Sequence, residues 1–137
     1  MRIVKQLSIF LENRPGLLAH ACSTLGESDV NITAMTVHDM VDLAVVRLVA
    51  DNPTKALLLL EEEDFYVIEM DVIILEMANI PGALANIARK LALADINIDY
   101  AYFSVGEGQK KDLLVLRTKE NDRAMEALQG CEPGNIE

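Results

Sequence analysis

Four asparagines and two glycines carry the most distinctive chemistry in this sequence, because they recur in pairs at one spacing. Asn13, Pro15 and Gly16 stand in "NRPG", and Asn79, Pro81 and Gly82 stand in "NIPG", 66 residues later. Asn31 and Asn97 follow the two turns by the same distance. A side-chain amide offers two N–H donors and an acceptor oxygen, so it can meet a carboxylate or an ammonium group. A turn that opens a helix leaves the first backbone N–H groups without helical partners. They lie at the positive end of the helix dipole, where a carboxylate is favoured. Gly16, with no side chain, lets a ligand approach the backbone. Such a set suits a free amino acid, which presents one carboxylate and one ammonium at fixed separation. The same residues also have a purely structural reading. A polar residue ahead of Pro at a first helical position is an ordinary helix entry, and Asn31 and Asn97 can close helix-to-strand loops by local hydrogen bonds.

Other reactive side chains do not converge. His20 falls on an expected helix with Cys22, and His38 near the end of an expected hairpin with Asp39 and Asp42 nearby. A metal or catalytic centre needs its groups at one point, and nothing in the spacing brings these together. No catalytic residue, metal ligand or cofactor is therefore assigned. There is no phosphate-cradling glycine loop and no nucleophile elbow. Cys22 and Cys131 form no CxxC pair, and Cys22 lies on the apolar stripe of its helix, where a buried structural thiol is expected. "EEED" at Glu61 to Asp64 reads as a solvated helix end, and the six methionines as core filler.

Composition narrows the partners. Hydrophobic residues make up 51% of the 137 residues and aromatics only 4%, which describes a folded core of aliphatic side chains rather than a disordered chain. Twelve basic against 22 acidic residues give a formal charge of −10. That surface repels phosphate backbones and anionic lipid, so neither nucleic acid nor membrane is expected as a partner. Zwitterions are not excluded by it. No segment approaches the roughly 20 apolar residues of a membrane helix, and "MRIVKQLSIFLEN" lacks a signal-type apolar run. The cytoplasm is the default expectation.

The elements that must position the asparagines are themselves duplicated. Over residues 7–37, nine of 31 positions are identical to those 66 residues on, where ordinary residue usage would give about two. Farther along, "VDLAVVRLV" from Val41 aligns with "KDLLVLRTK" from Lys111 at an offset of 70, so one hairpin of the second copy carries a four-residue insertion, around "SVGEGQKK". "RIVKQLSIFLE" alternates as a strand. A helix with Leu17, Leu18, Ala21, Cys22 and Leu25 at helical spacing follows. Then come a hairpin, "DVNITAMTVHD" with "VDLAVVRLVAD", a helix from "NPTKALLLLEEE" and a strand "DFYVIEM". The order is βαββαβ, twice, over residues 1–70 and 71–137. The last strand of the second copy is short or missing, because "CEPGNIE" holds Pro133 and Gly134. The fold class is α+β: two ferredoxin-like modules with antiparallel sheets and helices on one face. Phe10, Val72, Ile74 and one side of "DLAVVRLV" make the other face apolar as well. That face is expected to be covered by the partner sheet or a second chain, with Arg47, Arg117 and Glu76 as its polar points. A homodimer is the expected consequence.

"LSIFLENRPGLLAHACSTLGESDVNITAM" resembles the signature of the ACT domain, a βαββαβ module that regulates amino-acid metabolism. "LEMANIPGALANIARKLALADINIDYAY" resembles it a second time. The resemblance covers nearly the whole chain and implies a non-enzymatic protein that binds a free amino acid at domain or subunit interfaces. In serine-sensing members, the turn asparagine and the strand-opening asparagine of a neighbouring copy hold the effector. By that likeness the site is Asn13, Arg14, Gly16 and Leu17 with Asn31, and Asn79, Ile80, Gly82 and Ala83 with Asn97. Those members also use a histidine two residues before the turn asparagine, where this chain has Leu11 and Met77, so the resemblance does not single out serine. Two other readings stand beside it: a docking subunit for a separate metabolic enzyme or regulator, and a small enzyme using His20 or His38.

Overall fold

A computed structural model of the chain describes residues 1–104 and 112–132. Its elements are β1 (Arg2–Glu12), α1 (Leu17–Gly26), β2 (Ile32–Met40), β3 (Leu43–Ala50), α2 (Pro53–Glu62) and β4 (Tyr66–Met77). They continue with α3 (Ala83–Leu93), β5 (Tyr100–Ser104), β6 (Asp112–Arg117) and α4 (Asn121–Ala127). The mixed α+β class and the repeated ferredoxin-like order expected from the sequence are both present. No helix among the described residues is long and apolar enough to cross a membrane.

The chain divides into two compact units, Lys5–Met70 and Met1–Val4 together with Asp71–Glu137. In the first, the strands are ordered β2-β3-β1-β4. Alternation in β1 sends Leu7, Ile9 and Leu11 to one face, where they stand opposite Leu48, Val46 and Ala44 of antiparallel β3. Ala21 and Leu25 of α1 and Ala56 and Leu60 of α2 close over that row, all of them buried. Each fully buried leucine contributes about 1.5–3 kcal/mol, so this row and its helix lid supply most of the unit's cohesion. In the other unit the order is β1-β4-β6-β5. Ile73, Leu75 and Met77 of β4 take the places of Leu7, Ile9 and Leu11, under Ile87 and Leu91 of α3.

Val45, Val49 and Ala34, on the strand face away from the helices, are buried too, as are Ile74 and Val115. Of the polar points expected there, Glu76 is exposed, while the Arg117 guanidinium donates to the Asp71 carbonyl at 2.8 Å.

Two local features depart from the sequence reading. Pro15 and Pro81 are not the first helical residues: each precedes a glycine N-cap, Gly16 or Gly82, and the helix starts one residue later. Among the described prolines, Pro53 alone occupies a first helical position, behind its N-cap Asn52. The strand expected from "DINIDYAYFSV" begins only at Tyr100, and the preceding loop is tied by the Asp99 N–H to the Arg117 carbonyl at 2.9 Å. The hairpin-tip reading of the insertion falls largely on residues 105–111, and that of the vestigial last strand on 133–137; both stretches lie outside the described residues.

Met1–Val4 belongs with the residues from Asp71 onward, and Met1 packs against their core. Its α-amino group is paired with Glu132. β1, of which Arg2–Val4 is the opening, is hydrogen-bonded to β4. The chain's first residues thus serve the second repeat. Deleting residues 1–4 is expected to speed amide exchange in β4 from Asp71 onward and in β6, with exchange in β3 unchanged. Equal acceleration in β3 would contradict this assignment.

Candidate functional site

Both turns share two backbone bonds and a left-handed glycine, and the second adds a bond from the Ala83 N–H to the Ile80 carbonyl at 3.3 Å. After β1 the Arg14 N–H donates to the Glu12 carbonyl at 2.9 Å, Gly16 takes a φ of 94°, and the His20 N–H reaches the Gly16 carbonyl at 2.9 Å. After β4 the Ile80 N–H donates to Ala78 at 3.0 Å, Gly82 takes a φ of 87°, and the Asn86 N–H reaches Gly82 at 2.9 Å. A side chain at such a φ is strained by roughly 1–2 kcal/mol, which is why glycine stands at both positions. Nothing lies within 4 Å of where a Cβ would be, so the space beside each glycine is open. Neither α1 nor α3 receives a side-chain cap, whereas α2 does, from Asn52 to the Lys55 N–H at 3.1 Å. The helix starts behind the two turns are left with donors to offer.

Asn13 has another task. Its amide donates to Asp39 Oδ1 at 2.8 Å and to the Val41 carbonyl at 3.1 Å, and its backbone N–H donates to Asp42 at 3.1 Å. Asp39 also accepts the Val41 N–H at 3.0 Å. Asn13 therefore latches the turn to the tip of the β2–β3 hairpin, where Val41 is held at a φ of 70° that β-branched residues rarely adopt. Both amide donors are therefore used. Asn79 is exposed, and the hairpin residues that would correspond, 105–111, are outside the described residues.

Asn31 is exposed at the opposite end of β2 from the latch. Its backbone N–H donates to Asp51 Oδ1 at 3.1 Å and its carbonyl accepts the Asp51 N–H at 3.0 Å. Eight residues of extended chain separate it from Asp39, about 26 Å. One amino acid cannot span Asn13 and Asn31 of the same unit. Asn97 makes a local bond to Asp99 Oδ1 at 3.3 Å.

What the structure does bring together at the turns are two cavities that the spacing argument missed. The first, about 270 Å³, is bordered by Glu12, Arg14 and Leu17 on one side and by Glu63, Phe65 and Tyr66 on the other, with His20 between them. The second, about 180 Å³, is bordered by Ala78, Ile80, Gly82 and Ala83, with Asn86 in the place of His20 and Cys131 closing it. Arg14, Leu17, Ile80, Gly82 and Ala83 of the expected site line these cavities; none of the four asparagines does. The 66-residue offset matches Glu12, Arg14, Leu17 and His20 to Ala78, Ile80, Ala83 and Asn86, so the shared position was legible. Phe65 and Cys131, which follow α2 and α4, are also 66 residues apart, but the 70-residue offset of the intervening hairpin hid that correspondence.

His20 Nε2 lies 3.5 Å from Glu63 Oε2, and its ring centroid is 5.4 Å from that of Phe65. His38 is exposed and stands across from Val45 on the neighbouring strand. No cluster suited to a metal occurs among the described residues. Cys22 is half-buried, and burial pushes its thiol pKa up.

A family model described as an ACT domain pair matches residues 1–131. A comparison with curated proteins finds no match. The crystal structure of a Bacteroides thetaiotaomicron protein is similar at 31% identity and a TM-score of 0.86, over 93% of this chain and 87% of that one. The ligand-free regulatory subunit of aspartate kinase from Thermus thermophilus shares the fold at 14% identity and a TM-score of 0.69, over 100% and 99% of the two chains. The corresponding subunit from Thermus flavus does so at 15% identity and 0.62, over 95% of each.

Replacing Asn13 with Ala removes two exposed side-chain bonds and is expected to lower stability by about 1 kcal/mol, with faster amide exchange at Val41 in the hairpin tip. No change in either would show that the latch does not form. A raised pKa means less thiolate at a given pH, so Cys22 should alkylate more slowly at pH 8 than a free cysteine peptide; faster alkylation would contradict its burial.

Proposed function

The chain belongs to the ACT domain pair family, and from that membership we propose that it is a non-enzymatic regulatory protein that binds a free amino acid where ACT units or subunits meet. The observation that carries this reading is the helix start behind Gly16 and Gly82, open beside the glycine and without a side-chain cap in both copies. The effector's carboxylate is received there, and the oxygen of Asn13 faces its ammonium. The other contact comes from an Asn31 or Asn97 of a different copy, since the Asn31 of the same unit is too distant. Asn79 serves the second turn as Asn13 serves the first. An effector that binds one arrangement of the copies more tightly than another shifts their balance, which is how a binding module regulates.

A second copy is part of this reading. Met35, Val37, Met40 and Leu43, on β2 and the adjoining hairpin, are large apolar residues left exposed, and Phe103 is exposed at the position matching Val37. An apolar strand at the edge of its unit is a surface that another chain covers, and we assign it to a homodimer contact. The same exposure favours the second reading, in which this edge docks on a separate metabolic enzyme or regulator. The Thermus proteins are regulatory subunits of such an enzyme.

A thermal-shift screen against the twenty amino acids tests the sensor reading. One or a few should raise the melting temperature in a concentration-dependent way, as a ligand of the folded state must. Asn13→Ala and Asn31→Ala should each reduce the shift, and joint replacement of Asn13 and Asn79 should abolish it. No response to any amino acid would refute the sensor reading in favour of docking, and a response undiminished by the joint replacement would refute the asparagine site alone.

A further inference from the structure

We propose that the tip of the β2–β3 hairpin is a strained strap with two states, closed while Asn13 and Asp39 hold it and open when they release it. The strap needs no ligand, so it goes beyond the reading above.

Met40 and Leu43 pair across the hairpin, which leaves Val41 and Asp42 as a two-residue loop. Loops of that length ordinarily carry glycine or asparagine, because their tight reversal demands a positive φ. Here the positive φ, 70°, falls on Val41. The Asp42 N–H returns to the Met40 carbonyl at 3.0 Å, which closes a three-residue turn around Val41. That bond with that φ describes a γ-turn of the rare, strained hand. Among the described residues, the other non-glycine positions of positive φ are Asp29, Asp64 and Asp95. Aspartate tolerates that region, and a β-branched residue does not.

Strain of this kind persists when the surrounding bonds over-determine it. The Asn13 amide donates to Asp39 Oδ1 and to the Val41 carbonyl, and the Val41 N–H donates to the same Asp39 oxygen. The Asn13 N–H donates to the Asp42 carbonyl. Each of these bonds has Asn13 or Asp39 at one end. Both residues are exposed, so water competes for the bonds, and their net worth is comparable to the strain they oppose. An element balanced in this way populates two states. In the open state Val41 returns to an ordinary φ and the tip leaves the turn.

The apolar content of the tip gives this balance a consequence. Met40, Val41 and Leu43 are 55%, 83% and 45% exposed. Closing the strap fixes these three side chains in one arrangement beside the turn. A contact that favours this arrangement also holds Asn13 in place, and whatever engages Asn13 at the turn biases the tip. Coupling of two sites through one two-state element is reciprocal.

Native-state hydrogen exchange of the full chain, without ligand, tests the strap, because local opening sets the rate at the amides it frees. Rates are referred to the unstructured rate of each sequence, and thermal unfolding confirms that each variant keeps the fold. Asp39→Ala should speed exchange at Val41, Asp42 and Asn13 together, by about tenfold. Val41→Gly should slow it at Asp42 and Asn13 by about tenfold, because strain is removed from the closed state alone. Joint replacement of Asn13 and Asp39 by Ala should bring Val41 and Asp42 close to the unstructured rate, and adding Val41→Gly to that pair should slow nothing. Val46, in the buried row of β3, should exchange at the same rate throughout. Faster or unchanged exchange in Val41→Gly would show a tip without strain and overturn the proposal. Protection that survives the joint replacement would overturn it as well, by showing that the tip holds itself. No ligand enters the experiment, so a failed amino-acid screen leaves the strap standing, and a failed strap leaves the sensor reading standing.

Discussion

Gly16 and Gly82 turn the chain from a strand into a helix through the left-handed region, at φ of 94° and 87°. Much of each repeat depends on that reversal. It sets the helix across the strand it has just left, so that Ala21 and Leu25, or Ile87 and Leu91, land on the strand's apolar row. A residue with a Cβ would resist the turn by roughly 1–2 kcal/mol, a large fraction of a small domain's net stability. The far end of each helix is fixed by a matching device. Asp29 and Asp95 take φ of 59° and 57°, and the following N–H returns to Leu25 or Leu91 at 3.0 and 2.9 Å. Gly16 and Asp29, with their counterparts, are thus identical between the copies for backbone reasons. The same reversal leaves the helix start uncapped, so the element that organises the fold also creates its open donor end.

Duplication kept the frame and released the filling. The two strands, the two helix starts and the two cavities superpose by position, yet one cavity holds carboxylates and aromatic rings while the other holds Ile80, Ala78 and Cys131. A frame held by backbone dihedrals and buried aliphatic rows tolerates such changes, because cavity side chains at the rim take little part in the core. Exposed substitutions of this kind usually move stability by about half a kcal/mol or less.

Legibility in the sequence followed the range of the interaction. The alternation of Leu7, Ile9 and Leu11 and the helical spacing of Ala21 and Leu25 are local patterns, and the structure buries those residues. The repeat itself was visible because identical backbone requirements select identical residues. The placement of Pro15 and Pro81 at first helical positions failed because a Pro-Gly step admits two registers, and only the dihedral of the glycine decides between them. The role of Asn13 was hidden for a different reason. Its partner Asp39 is 26 residues away, on a hairpin whose tip the strand pairing brings back to the turn.

The sequence by itself determined the βαββαβ order, its repetition, the aliphatic core and the chemical character of the turns, since all of these rest on residue type and near-neighbour spacing. Tertiary structure alone decided that Met1–Val4 joins the residues after Asp71, that Asn13 is spent on a hairpin latch, and that Asn31 lies a strand's length from it. It also decided that Phe65 and Tyr66 stand opposite Arg14 across a cavity. Those facts depend on which strands pair and which helix ends meet. Pairing is selected by burial summed over the whole unit, a quantity that no short stretch of sequence contains.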